Sequence, residues 1–159
     1  LGDVYKRQIY RNLEMNLKKI LLLPISLALS TAGCAGIGPN ATYYMATTSF
    51  NYDPTYTSYM VRLNGHEIGG GFGGGMSTSP VKLGPQIVTW EESNSDKIHR
   101  AKNQVVLTKE DLKGMKYLAV HLYPDDTIEI KTSNNWPEPT KKGAKWRTQI
   151  WERAHSNNK

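Results

Sequence analysis

Cysteine is almost absent: the 159-residue chain has one, Cys34. A lone cysteine makes neither an internal disulfide nor a four-cysteine zinc site, which excludes a disulfide-stapled mini-protein and a zinc ribbon. No apolar run reaches the ~18 residues that a membrane-crossing helix needs. A G-x-S-x-G nucleophile elbow is missing. The four histidines, His66, His99, His121 and His155, are never spaced as a local metal pair. His121 alternates with Ala119 and Tyr123 and reads as a surface or half-buried residue. The run Gly69–Gly75 (GGGFGGG) contains G-x-G-x-x-G through its composition alone. No helix pattern or G-K-[S/T] follows it, so neither a dinucleotide loop nor a P-loop is expected, and no cofactor is. The run reads as a mobile loop, or as one whose backbone must approach something closely.

What is present begins with a leader. Residues 1–14 read as adapter and upstream sequence read in frame, and Met15 as the start. Lys18 and Lys19 supply the positive end of a signal peptide, Ile20–Leu29 its apolar stretch, and Ser30–Gly33 its small-residue end. Thr31-Ala32-Gly33-Cys34 resembles the lipobox of bacterial lipoproteins. That resemblance implies cleavage after residue 33, covalent lipid on Cys34 and a membrane-anchored mature chain. Because Ala35, not Asp, follows the cysteine, it also implies an outer-membrane protein facing the periplasm. Two or more acyl chains anchor stably where one does not.

The chain carries 20 Lys/Arg against 14 Asp/Glu. The leader holds five and two of these, so Cys34–Lys159 keeps 15 and 12, a formal +3. That balance is no nucleic-acid footprint. The excess lies in Lys141, Lys142, Lys145, Arg147 and Arg153, which reads as solvated surface.

Residues 34–42 read as a tether, 43–133 as a β-domain and 134–159 as a basic, Trp-bearing C-terminal segment. Within the domain, strand signals recur about every ten residues. Tyr43–Phe50, Thr57–Leu63, Gln86–Glu92 and Ile98–Leu107 read as strands, with Tyr59, Val61 and Leu63 sharing one face. Asn64-Gly65 marks a tight turn. Thr108–Asp111 is a capping box opening one helical turn that ends at Gly114. Tyr117–Tyr123 and Thr127–Thr132 flank Pro124-Asp125-Asp126 as a hairpin, with Leu118, Val120, Leu122, Ile128 and Ile130 inward. The expected fold class is all-β: a single small Ig-like β-sandwich or partly open barrel with one short helical turn. Trp146, Ile150 and Trp151 fit either an amphipathic helix or a last strand.

The stretches Phe50–Gly65, Gly69–Gly75, Val88–Trp90 and Leu118–Pro139 (LAVHLYPDDTIEIKTSNNWPEP) resemble a domain-of-unknown-function family of Gram-negative lipoproteins. Members are often encoded beside type VI secretion phospholipase effectors. Relatives often carry a cysteine pair after the glycines, where this chain has Met76-Ser77-Thr78. The resemblance implies an immunity protein, not an enzyme, that binds an incoming phospholipase effector. Phe72 in the glycine loop and Trp136, between Asn135 and Pro137, are the expected partner-binding residues. The alternative is an envelope lipoprotein that binds peptidoglycan or another outer-membrane component. An enzyme would instead require His121 or His66 to meet a carboxylate in a cleft.

Overall fold

The computed structural model describes residues 41–156. The leader, Cys34 and the tether up to residue 40 lie outside the described residues. Among the described residues the fold is mostly β, with several sheets, no closed barrel and two helices. The strands are β1 (Thr42–Asn51), β2 (Ser58–Leu63), β3 (His66–Glu67), β4 (Ser77–Lys82), β5 (Gly84–Gln86), β6 (Val88–Glu92), β7 (Ile98–Arg100), β8 (Val105–Leu107), β9 (Tyr117–Leu122) and β10 (Ile128–Ser133). The helices are α1 (Lys109–Leu112) and α2 (Lys141–Ser156).

The first sheet runs β10-β9-β1-β4, the second β3-β2-β6-β7, and β5 and β8 make a third. Met45, Val81, Leu118, Val120, Leu122 and Ile128 of the first sheet join Val61, Leu63, Val88 and Trp90 of the second and Leu107 of the third in one core. Each such side chain contributes roughly 1.5–3 kcal/mol on burial.

Two features depart from an antiparallel sandwich. Strand β1 pairs parallel with β9, Thr47 opposite Leu118 and Asn51 opposite Leu122. Both strands are buried on both faces over most of their length, as parallel pairs usually are. The expected single helical turn, α1, is present with its Thr108–Asp111 capping box, but α2 makes a second helix. The C-terminal segment, open between helix and strand on its periodicity, is therefore helical.

Local rules account for several differences. Tyr59, Val61 and Leu63 do not share a face. The β2–β6 register shifts between Tyr59 and Arg62, Met60 takes φ 46°, and Tyr59 turns outward while Val61 and Leu63 stay buried. A bulge resets the alternation in this way. Ile98–Leu107 is two strands, β7 and β8, which lie in different sheets. Pro80 sits inside β4, tolerated because β4 is the edge of its sheet. The Asn64-Gly65 turn forms as expected, both residues at positive φ (50° and 82°) and Leu63 paired with His66.

The glycine run is pinned rather than mobile. Gly69 N–H donates to Thr47 O and Gly73 N–H to Ser49 O. Thr48 Oγ1 donates to Gly75 O (2.7 Å) and Ser49 Oγ to Gly69 O (2.9 Å). A Cβ on Gly73 would strike the Phe50 ring, so close backbone approach is what the glycine provides there.

Candidate functional site

Strand β9 points alternate residues to opposite faces. Leu118, Val120 and Leu122 enter the main core, while Ala119 and His121 point the other way. Phe50 lies beside His121 in the parallel register. With Tyr52 and Tyr123, these residues build a second, aromatic layer against which Trp146 of α2 packs. The His121 ring stacks on Phe50 (5.1 Å, 13°) and lies parallel to Tyr52 (5.9 Å, 5°). Tyr52 in turn stacks on Tyr123 at 5.3 Å. Phe72 meets Phe50 and Tyr52 edge-on at 5.4 and 5.7 Å. The Arg147 guanidinium covers Phe72 at 4.9 Å and donates to Asn51 O.

The hydroxyls of this layer fix one proton arrangement. Thr140 N–H donates to Tyr52 Oη at 2.7 Å. Tyr52 Oη lies 2.8 Å from His121 Nδ1. Thr140 N–H can only donate, which leaves the Tyr52 hydroxyl proton for Nδ1, and on this assignment Tyr52 donates and Nδ1 accepts. The proton of the neutral imidazole then sits on Nε2. Burial holds His121 well below an ordinary histidine, at about 4, against the opposing pull of Glu129. A parallel chain runs beside it. Gly143 N–H donates to Thr140 Oγ1 (3.0 Å), Thr140 Oγ1 reaches Tyr123 Oη (3.1 Å), and Tyr123 donates to Glu129 (2.7 Å). Burial pushes Tyr123 up to about 12.

His121 Nε2 is buried and has no hydrogen-bond partner. His121 is wholly buried, not the surface or half-buried residue its place on the less apolar side of β9 suggests. The side that was expected to face water is covered by the aromatic layer. His121 also lines a cavity of about 370 Å³ between β9, β10 and residues 135–140. The lining includes Lys131, Asn135, Trp136, Glu138 and Thr140. Trp136 is 58% exposed and tilts against Tyr117 at 5.9 Å. Lys131 and Glu138 are the charged residues of the lining and are of opposite sign, so its formal charge is zero. The lining thus combines a histidine with an unpartnered ring nitrogen, hydroxyl and amide groups, and an exposed indole.

Of the expected partner-binding residues, Trp136 lines the cavity. Phe72 is 40% exposed and caps the aromatic layer, with φ 55°. Both therefore serve the same side of the first sheet, joined through Phe50 and His121. Cys34 lies outside the described residues.

Neither His121 nor His66 meets a carboxylate by hydrogen bond. His99 does. Its Nδ1 lies 2.7 Å from Asp126 and its Nε2 2.9 Å from Glu92. Its ring is stacked between Tyr56 (5.2 Å) and Trp90 (5.1 Å). Hydrogen bonds from Ser95, His99 and Lys97 hold Glu92 down at about 2. Burial would raise Asp126, but hydrogen bonds from His99 and Lys102 outweigh it and leave it low. Every polar atom of the His99 ring is engaged, so this cluster ties β6 and β7 to the β9–β10 turn. Sequence spacing gave no hint of it, because Glu92, His99 and Asp126 come from three separate segments. The strand reading of Gln86–Glu92 covers Trp90 and Glu92 but not their meeting with His99.

Glu91 pairs with Arg62 at 3.0 Å, and Asp125 accepts from Thr127 in the turn. Among the described residues, no three His, Cys, Asp or Glu side chains converge on a metal-sized site, and no helix is long and apolar enough to cross a membrane. No protein-family model, curated protein or solved structure gives a match to the chain.

Proposed function

We propose that this protein is a non-catalytic binding module, anchored by lipid on Cys34 to the outer membrane and facing the periplasm. Its domain is a sandwich variant whose first and second sheets share one core. The partner is a protein, a type VI secretion phospholipase effector, and the module acts as its immunity protein. The observation that supports binding is Trp136, an exposed indole held over a cavity on a hydrogen-bonded sheet. Exposed Trp residues in such settings are frequent hot spots. Phe72 and Arg147 extend the same side and offer an aromatic and a cation to an acidic partner.

Titration of the purified protein against the phospholipase, if any, encoded beside its gene tests this reading, and the lack of such a gene removes the immunity role. Stoichiometric loss of lipase activity, weakened at least tenfold by Trp136→Ala, is the expected result. Unchanged lipase activity at micromolar protein removes the immunity role.

One observation favours the second reading, an envelope component as ligand. The cavity that Trp136 lines is concave and of mixed polarity, with His121 among its lining residues. A pocket of this size suits a small polar group better than a flat protein surface.

A further inference from the structure

The cavity between β9, β10 and residues 135–140 has an unsatisfied requirement. A buried polar atom normally finds a partner. His121 Nε2 has none, although the opposite nitrogen is fixed by Tyr52 at 2.8 Å. The Tyr52 hydrogen bond leaves Nε2 as a donor, and a donor requires an oxygen or nitrogen acceptor.

The rest of the lining defines the acceptor's carrier. Trp136 presents an exposed apolar ring, with Pro137 and Pro139 beside it. Thr132, Ser133 and Asn135 supply hydroxyl and amide groups. Lys131 is held by Glu129 at 3.3 Å, and Glu138 balances its charge within the lining. A carboxylate or phosphate ligand would meet Glu138 and no free guanidinium, so an anion is disfavoured. A purely apolar ligand would leave the His121 donor buried and unpaired, which costs the full desolvation of that group. What fits is a ring with one apolar face and several oxygens, carrying no net charge.

We propose that this cavity binds a neutral sugar ring, its C–H face on Trp136 and one of its oxygens accepting from His121 Nε2–H. The inference rests on the envelope reading above, and names the part of an envelope polymer that is held. The volume, about 370 Å³, accommodates one or two rings. Tyr52, outside the lining, positions His121 through Nδ1 and does not touch the ligand.

The test uses the full chain with Cys34→Ser in mild detergent. Heteronuclear NMR follows the His121 Nε2–H signal while the disaccharide of N-acetylglucosamine is added to about 10 mM, a range that captures weak single-site binding. Expected is a saturable shift of that signal, weakened at least tenfold by Trp136→Ala. Trp136 is exposed, so its removal leaves the fold in place, and the unchanged spectrum of the main core checks this. No saturable shift, a shift indifferent to Trp136→Ala, or a shift by acetate alone overturns the proposal. Sedimentation with purified peptidoglycan separates the two readings. Binding to the polymer without a shift at His121 overturns the pocket and leaves the envelope reading. A shift at His121 without binding to the polymer overturns the envelope reading and leaves the sugar site.

Discussion

Thr140 and Tyr52, 88 positions apart, are joined by a 2.7 Å hydrogen bond from the Thr140 backbone to the Tyr52 hydroxyl. Thr140 also caps α2 through its side chain, accepting from Gly143 N–H. The start of the helix is thereby fixed to the aromatic layer by the same tyrosine that orients His121. Tyr52→Phe removes one hydroxyl and strands two buried groups, Thr140 N–H and His121 Nδ1. A loss of about 2–4 kcal/mol in urea denaturation is expected, more than a typical single hydrogen bond.

Gly143 tests the same junction from the helix side. In an exposed helix interior, Gly→Ala adds up to about 1 kcal/mol of stability. Here a Cβ would run into the Tyr52 ring, so Gly143→Ala should destabilise by about 1–3 kcal/mol. Lys145→Ala, on the exposed side of the same helix, should change stability by less than about 0.5 kcal/mol. A rise in melting temperature for Gly143→Ala would refute the close packing of α2 on Tyr52.

His121 sets a pH window. Its folded value of about 4 lies below the unfolded value of about 6.5. Above pH 6.5 both states are neutral there and the residue contributes no pH dependence. Between pH 6.5 and 4 the unfolded chain takes up a proton that the folded one refuses, so stability falls as pH falls. The full effect is about 3 kcal/mol. His121→Gln should flatten denaturation midpoints across that window. Glu92 acts in a different range: its folded value near 2 favours the folded state above pH 4.5, and that gain is lost as pH drops toward 2.

Trp136 and Phe72 should separate cleanly. Trp136→Ala removes a half-exposed indole that tilts against Tyr117, and should leave stability within about 0.5 kcal/mol. Phe72→Ala removes two edge-to-face contacts and the seat of Arg147, and should cost about 1–2 kcal/mol. Thermal melts of both variants check this, and only Trp136→Ala is expected to lose ligand without losing fold.

Much of the strand content could be read from the chain because alternation and turn chemistry act locally. Asn64-Gly65, the Thr108–Asp111 box and the β9–β10 hairpin follow from neighbouring residues alone. The bulge at Met60 could not be read, since it depends on how β2 meets β6. Parallel pairing of β1 with β9 was hidden for the same reason. Once that pair forms, the less apolar side of β9 becomes an interior, and His121 changes from surface residue to buried donor. The site was half legible: Trp136 stood out between Asn135 and Pro137, but nothing near His121 in sequence pointed to Tyr52 or Thr140. The glycine run was legible as a close approach, and its partner, Phe50, was not.

The β1–β9 pairing has a kinetic meaning. Strand β1 is the first strand of the described domain, yet its parallel neighbour is the ninth. Tyr52 and His121, which close one end of that ladder, are separated by 69 positions. A chain that emerges N-terminus first must hold the threonines and aromatics of β1 without their central partner until most of the domain has followed. Non-local closure of this kind slows folding and lengthens the time that a strand edge stays open. Ser49, Thr48 and Thr47, whose hydroxyls bond to the glycine run and β4, offer an interim solution: that earlier-arriving segment shields one edge of β1 while the other waits.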